Sequence, residues 1–379
     1  MSDLHKDMNL GRYNKIKTPF MKKLLVFVSF CVFSCSCLAG NDMIVKKRSI
    51  VKSYPVLKGD KLLLQNGSGN VYVKTWNRNE VKVEVVMSAY AQLAGEADEM
   101  LDQTTVTNEK TAGSNIISFC THTFDSTVLG LDKDTIITRL NVVYNVSMPV
   151  TMDVHITNTS GNVYLEEITG SVSVDIVNGD LHAAKIGGRN NKINVEMGLR
   201  GTTISELNSA WVMGTNSNFV IGRANDVSII EAENVSIGRC VNCRIYKTYG
   251  ALNIDTADGL KGRMARTKVN LRNVFGSTNL ELRSCDTTRI GNIICKNGDV
   301  ITLNVFGGNV KAHINEIPGY NLQIKHLNSK IGGIGLPRNF GDFSLNIGQP
   351  SRSHALKKGS VGMGGYVCFD LSQTNLELD

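Results

Sequence analysis

A short turn phrase recurs along the 379-residue chain, and this repetition limits the fold more than any other feature. Residues 66–73 read NGSGNVYV, and residues 158–165 read NTSGNVYL. A related phrase, NGD before an aliphatic residue, occupies 178–181 and 297–300, with a looser copy at 307–310. Glycine and asparagine tolerate positive φ, so each phrase predicts a tight turn, with positive φ expected at Gly161 and Gly179 in particular. The predicted structural turns are Gly69, Gly161, Gly179 and Gly298.

Short segments of alternating aliphatic and polar residues separate these turns from about residue 141 to 330. Their period of two is typical of strands, and successive strands begin about 8–12 residues apart. The inward side chains of one strand cannot be buried without neighbours above and below. Stacked coils bury them as a continuous aliphatic column, worth roughly 1.5–3 kcal/mol per large side chain. The predicted fold is therefore all-β, a single-stranded parallel β-solenoid resembling a β-helix.

One segment breaks the alternation and predicts a short helix near the N terminus. Residues 91–102 place Leu93, Ala94, Ala97, Met100 and Leu101 on one face at helical spacing. With its flanking strands, this helix is expected to cap the N-terminal end of the stack. The chain thus divides into an N-terminal β region with a capping helix, 41–150, and solenoid repeats, 151–379.

Residues 1–40 read as a leader and signal peptide. Lys22 and Lys23 precede an apolar run of about ten residues and then small residues, which is the pattern of a secretory signal. A bilayer span needs roughly 20 apolar residues, so the run is not expected to anchor the chain. Met21 is the expected start. The candidates for signal cleavage or lipidation are Cys35, Ala39 and Gly40.

Charge and composition limit the possible partners. The formal net charge is +7, but residues 1–40 contain six basic and two acidic residues, so the remainder carries only +3. Acidic and basic residues are interspersed along that remainder, which argues against nucleic acid as a partner. Aromatic residues make up 6%, so composition gives no support to an aromatic platform for carbohydrate. Long β faces could still bind glycans through Asn, Thr and Ser.

Several phrases, taken in order, resemble the DUF4097 adhesin family in its Bacteroidota-type form. They are the turn at 69–71 leading into WNRNEVKV at 76–83, the acidic helix at 91–102, the strand ending at Met148-Pro149, and the repeats at 160–163 and 178–181. The resemblance covers roughly 50–330 and implies a β-solenoid at the cell surface. The family has no established catalytic residues, so the resemblance implies none here.

The cysteines, histidines and aspartates that could bind a metal or act in catalysis have simpler structural explanations. Cys240 and Cys243 form the one close cysteine pair after the leader, but no second pair at metal-binding spacing accompanies them. The histidines are scattered, and only His155 and His182 are candidates for neighbouring coils. Asp180 and Asp299 lie in turn phrases, where a carboxylate accepts backbone N–H groups. We therefore predict no catalytic residues, no metal and no cofactor.

The sequence favours a non-enzymatic protein of the cell envelope, an adhesin or a structural or interaction protein, binding an unidentified surface protein or glycan. It is expected to be exported to the periplasm or cell surface and to reach a membrane only through a lipid on Cys35. One alternative is a β-helical polysaccharide-active enzyme, which needs a groove with two or three acids and a base. Another is an envelope-stress sensor acting through a membrane partner.

Overall fold

A computed structural model describes residues 43–110, 113–122, 139–314, 320–333, 352–358 and 365–378. Within these ranges the chain forms 27 strands and one helix, which confirms the all-β prediction. No helix among the described residues is long and apolar enough to cross a membrane. The proposed cleavage sites Cys35, Ala39 and Gly40 lie outside the described residues.

The elements follow one another in chain order. The N-terminal part contains β1 Ile44–Pro55, β2 Lys61–Asn66, β3 Val71–Trp76, β4 Glu80–Ala91, α1 Ala94–Gln103, β5 Thr105–Lys110, β6 Ile116–His122 and β7 Arg139–Pro149. Repeats begin with β8 Asp153–Asn158, β9 Val163–Ile168, β10 Val172–Val177, β11 Leu181–Ile186, β12 Asn191–Glu196, β13 Thr202–Asn208, β14 Ala210–Met213, β15 Asn218–Asn225, β16 Ser228–Glu231, β17 Asn234–Val241, β18 Arg244–Ile245, β19 Ala251–Asp258, β20 Lys261–Ala265 and β21 Lys268–Phe275. The last strands are β22 Thr278–Ile293, β23 Val300–Ile314, β24 Tyr320–Leu327, β25 Lys330–Gly333, β26 Arg352–Lys358 and β27 Gly365–Leu378.

Each coil contributes to two hydrogen-bonded ladders. Ladder A runs β5-β6-β2-β8-β10-β12-β14-β16-β18-β20, then through the first halves of β22, β23 and β27 to β24 and β26. Ladder B runs β1-β4-β7-β3-β9-β11-β13-β15-β17-β19-β21, then through the second halves of the same three strands to β25. Pairing is parallel throughout the repeats and antiparallel for β1–β4, β4–β7, β5–β6 and β24–β26. The predicted boundary at residue 150 falls in the turn between β7 and β8, and β2 and β3 pair directly with β8 and β9 across it.

The core is the aliphatic column that the alternation predicts. Along ladder A, one inward row pairs residue to residue through successive coils. Its members, all at most 2% exposed, are Leu64, Ile156, Val174, Ile193, Val212, Ile229 and Ile245. The buried residues form one continuous cluster from Leu62 to Leu378.

The helix begins later than the sequence predicts. β4 extends to Ala91, so the helix spans Ala94–Gln103 and buries Ala97, Met100 and Leu101. Leu93, expected on the buried face, is instead the N-cap residue and is 63% exposed. The helix packs on β1 and β4, at the antiparallel end of ladder B.

The turn prediction holds at three glycines and is wrong at one. Gly69, Gly161 and Gly298 adopt φ of +114°, +122° and +88°. In the NGD turn at 178–180, the positive φ lies on Asn178 (+56°) and not on Gly179. Gly179 is required for a different reason, because a Cβ there would overlap the carbonyl oxygen of Gly161 in the adjacent coil.

A corner motif recurs where the chain passes from ladder A to ladder B. A residue with φ near +50° is followed by a buried Ser, Thr or Cys that donates to the carbonyl oxygen two residues before it. Thr267 donates to Ala265 O at 3.1 Å, and Thr374 donates to Ser372 O at 2.9 Å. Other members are Ser217, Cys285 and Ser329, preceded by Asn216, Ser284 and Asn328. We call these five buried residues the corner donors.

The last strand lies inside the stack. β27 pairs in parallel with β23 on one side and with β24 and β25 on the other. Chain order therefore does not match spatial order at this end, which the sequence did not predict.

A largely buried ion pair links the end of β5 to the loop between β1 and β2. Lys110 Nζ lies 2.6 Å from Asp60 Oδ2, whose side chain is 5% exposed. Burial raises the pKa of this carboxyl, but the N–H of Leu57 and the Lys110 ammonium outweigh burial and hold the pKa below its usual value.

Replacing Lys110 with Met should destabilise the fold by about 2 kcal/mol at neutral pH, because a buried carboxylate loses its partner. In the native protein, the folded pKa of Asp60 lies below the unfolded value. The pair therefore contributes stability above about pH 4 and loses it as pH falls further. Urea melts across pH should show the difference between native and K110M shrinking below about pH 4. A difference independent of pH would contradict this account.

Candidate ligand-binding face

The outer surface of ladder A carries exposed aromatic side chains in its middle coils. β14 is four residues long, and its alternation turns Ala210 and Val212 inward and Trp211 and Met213 outward. Trp211 is 61% exposed. Ser228, its partner in the next coil, is small and buried, so no side chain of similar size covers the indole on that side.

Tyr246 continues the same surface. It directly follows β18, and its N–H donates to Ile229 O at 2.9 Å, which keeps it in the ladder. Its side chain is 48% exposed. Trp211 and Arg244 lie two coils apart in one register row, which corresponds to about 10 Å.

Basic residues surround these rings. Arg244 pairs in register with Lys261, and Arg263 lies two residues further along the same strand. Within the described residues, Arg244 and Lys261 form no ion pair. We call the surface formed by Trp211, Arg244, Tyr246, Lys261 and Arg263 the aromatic–cationic face.

The carboxylates beside this face are already engaged. Glu281 accepts from Arg263 Nε at 2.8 Å and from Arg283 at 2.6 Å. Burial raises the pKa of Glu281, but the two guanidinium groups outweigh it and lower the pKa. Glu231 accepts from Lys247 Nζ at 3.2 Å and from the Tyr249 hydroxyl at 3.1 Å. Both carboxylates therefore already have cationic partners in this structure.

A groove of about 660 Å³ opens within the face. Its lining includes Tyr246, Lys247, Lys261, Arg263, Asn279 and Glu281, which together we call the cationic groove. The groove offers an aromatic ring, three cations and an amide, a combination that can hold a polar ligand with an apolar side.

The outer surface of ladder B is different. Tyr72, Tyr164 and His182 stack in successive coils, with ring centroids 4.8 Å and 5.1 Å apart. Asn70 and Asn162 donate to the two tyrosine hydroxyls at 3.0 Å and 3.2 Å. The same row continues through Thr203, Val220, Ser236, Asn253 and Asn270. Beyond His182, four of these five residues are Asn, Thr or Ser, the residue types through which a long β face could bind glycans.

The two histidines considered as neighbours are apart. His155 lies on ladder A, 3.9 Å from Asp175, whereas His182 lies on ladder B beside Thr203. Their strands, β8 and β11, belong to different ladders. No group of three or more His, Cys, Asp or Glu residues that could hold a metal occurs among the described residues.

Cys240 and Cys243 are buried free thiols. Asn242 between them has φ +54°, and this bend turns both side chains inward despite their opposite strand parity. Cys243 Sγ contacts the carbonyl oxygen of Val241, two residues earlier, as a corner donor does. The hydrogen bond with Cys243 and burial both raise the pKa of the Cys240 thiol. The Cys240 thiol is therefore held in the less reactive, protonated form.

Asp180 and Asp299 have the structural role that the sequence predicts. The Asp180 carboxylate accepts the N–H groups of Arg200 at 2.8 Å and Gly201 at 3.0 Å. Asp299 accepts the N–H of Lys296 at 2.9 Å. Both carboxylates stabilise turns.

Sequence reasoning missed the aromatic–cationic face. Low aromatic content argued against a platform, but two rings, Trp211 and Tyr246, are exposed beside basic residues. The alternation in 210–213 could have placed Trp211 outward. The pairing of Arg244 with Lys261 depends on coil register, which the sequence pattern does not define.

No protein-family model matches the chain, so membership of the DUF4097 family is not shown and stays an interpretation of the sequence. No curated protein matches it in sequence. Among solved structures, a "putative cell adhesion protein" from Clostridium sporogenes matches with 8% identity and TM-score 0.18, over 88% of this chain and 100% of that one. A "putative adhesin" from Parabacteroides merdae matches with 7% identity and TM-score 0.29, over 88% and 96%. A "putative lipid binding protein" from Parabacteroides distasonis matches with 8% identity and TM-score 0.30, over 88% and 97%. Similarity at this level does not extend to function.

Proposed function

We propose that this protein is an exported, non-enzymatic glycan-binding protein of the cell envelope, acting as an adhesin. The observation that carries the proposal is the exposure of Trp211 and Tyr246 on a rigid β face. Tyr and Trp combine an apolar ring with a polar group and are enriched where proteins contact partners. The C–H side of a sugar ring packs on such rings, while its hydroxyls bond to amides such as Asn279.

The carboxylates argue for binding and against hydrolysis. Glycoside hydrolysis requires two carboxyl groups flanking one bond, one of them able to release a proton. Glu281 and Glu231 accept hydrogen bonds from cationic partners, and the Asp180 carboxylate accepts a backbone N–H of a turn. Glu167 and Glu206 flank Lys185 on ladder B, but Lys185 Nζ pairs with Glu167 at 3.0 Å. These residues form an exposed charge row of the kind that stabilises neighbouring strands.

Export rests on the signal-like segment that begins at Met21. N-terminal sequencing of protein recovered from the envelope tests this part. An acylated Cys35 would identify a lipoprotein, and a start after Ala39 or Gly40 would identify ordinary cleavage. A chain that retains residues 1–34 would exclude export.

Trp211→Ala should weaken glycan binding by about tenfold, because one stacked ring contributes on the order of 1–1.5 kcal/mol. Trp211→Phe should retain most of the affinity. The control is Val51→Ala, which removes an exposed apolar side chain from β1, outside both the aromatic–cationic face and the polar row of ladder B. Binding is measured by titration calorimetry against soluble glycans, and reducing ends are assayed in parallel. Glycan turnover, or equal binding by W211A and native protein, would overturn the proposal.

A further inference from the structure

We propose that the cationic groove selects carboxylate-bearing polysaccharides, chains of uronic acids or similar acidic sugars. This inference rests on the proposed glycan binding and names its ligand class. It adds a requirement for negative charge, which stacking on Trp211 alone does not impose.

The charge count on this part of ladder A supports an anionic ligand. Five cations lie on the face or beside it, against the two carboxylates Glu231 and Glu281. The five are Arg244, Lys247, Lys261, Arg263 and Arg283. Among these seven residues the excess is three positive charges.

Ion pairs with Glu281 also hold the arginine side chains at the groove in defined positions. Arg263 uses Nε for its bond with Glu281, so its two terminal nitrogens are not used in that pair. Glu281 is 19% exposed and accepts from Arg283 as well, which limits the motion of both guanidinium groups. Lys261, which pairs in register with Arg244 of the adjacent coil, forms no ion pair among the described residues. A ligand carboxylate between Lys261 and Arg263 would gain charge-assisted bonds without breaking an existing pair.

The neighbouring groups favour an acidic sugar over other anions. A uronate has a carboxylate for Lys261 and an apolar C–H side for Tyr246. A nucleic acid backbone carries a phosphate at every step, and Glu231 and Glu281 would repel some of them. An anionic membrane would require apolar side chains able to insert, and the groove is lined mainly by charged and amide side chains. Nucleic acid and membrane are therefore outcomes to be tested and not part of the proposal.

The test compares polygalacturonate with its fully methyl-esterified, neutral form, using the purified protein and titration calorimetry. Polygalacturonate should bind at least about tenfold more tightly, and its affinity should fall as NaCl rises from about 50 to about 500 mM. Lys261→Gln should weaken polygalacturonate binding about tenfold, and Lys261→Arg should restore most of it. The matched control is Lys268→Gln, which removes the same charge from an exposed position on ladder B and should leave binding unchanged. Unchanged thermal melts would show that the variants fold.

Each other outcome has a distinct meaning. Equal binding of the charged and neutral polymers, both weakened by Trp211→Ala, would overturn this inference and leave glycan binding standing. Equal losses in Lys261→Gln and Lys268→Gln would show non-specific charge attraction and overturn it too. Tighter, Lys261-dependent binding of duplex DNA or of phosphatidylglycerol vesicles would replace the ligand class. Failure of all glycans to bind would overturn both proposals.

Discussion

Replacing Gly161 with valine should leave the protein unable to complete its stack, with a loss of at least about 4 kcal/mol in the free energy of unfolding. Two costs combine at this position. The backbone has φ +122°, which residues with a side chain rarely adopt. A Cβ would also overlap the carbonyl oxygen of Gly69 in the neighbouring coil, and this oxygen belongs to backbone that cannot rotate away. Urea melts followed by far-UV circular dichroism measure the effect.

Substitutions at three further glycines separate the cost of positive φ from the cost of overlap with the neighbouring coil. Gly298→Ala has positive φ but open space around the new atom, so it should lose only about 1–2 kcal/mol. Gly179→Val has ordinary φ but overlaps Gly161 O, so it should be severe through contact alone. Gly95→Ala, in the helix with nothing nearby, should stabilise by up to about 1 kcal/mol. A G161V protein as stable as the native protein would contradict the close stacking of these turns.

Deleting β27, Gly365–Leu378, should unfold the C-terminal end of the stack. The strand buries five large apolar side chains, whose loss amounts to roughly 10 kcal/mol at about 2 kcal/mol each. These are Val367, Phe369, Leu371, Leu376 and Leu378. Its removal also uncovers the hydrogen-bonding edges of β23 on one side and β24 and β25 on the other. Hydrogen exchange should show loss of protection in all three strands.

Two point variants in β27 give losses of stability with which the effect of the deletion can be compared. Phe369→Ala should lose about 3–4 kcal/mol, since its ring is fully buried. Glu377→Ala removes an exposed side chain paired with Lys311 at 3.2 Å and should change stability by less than about 0.5 kcal/mol. Full protection of β24 in the deletion variant would show that β27 is not part of the stack.

The parts of the fold that repeat locally were predictable. Alternation in 172–177 defines which residues face inward, and Gly161 shows the positive φ that its phrase predicts. The NGD turn at 178–180 was misassigned because asparagine and glycine can exchange the left-handed position, and only the contact of Gly179 with Gly161 distinguishes them. The start of the helix was misplaced because β4 continues its strand pairing with β1 to the end of its length.

Long-range placement was not predictable from local pattern. Nothing in residues 365–378 indicates insertion beside β23, since an edge strand would have the same alternation. The candidate site depends on which coil lies next to which, because Arg244 and Lys261 are 17 positions apart and meet only through register. Local pattern gives the direction in which each side chain points, and register determines its neighbours.

The corner donors have a consequence for how the coils are aligned during assembly. Aliphatic rows are nearly interchangeable, so a column of Val, Ile and Leu alone would tolerate a slipped stack in which a coil pairs one step too far along. The hydroxyls of Thr267 and Thr374 also lie within hydrogen-bonding reach of a carbonyl oxygen in the neighbouring coil, Thr248 O and Val305 O respectively. A slipped coil would lose this contact between coils and keep only the bond to the carbonyl two residues earlier, so the corners oppose register errors that the hydrophobic column would accept. A repetitive sequence thus contains, at its least hydrophobic buried positions, the information that gives each coil a single set of neighbours.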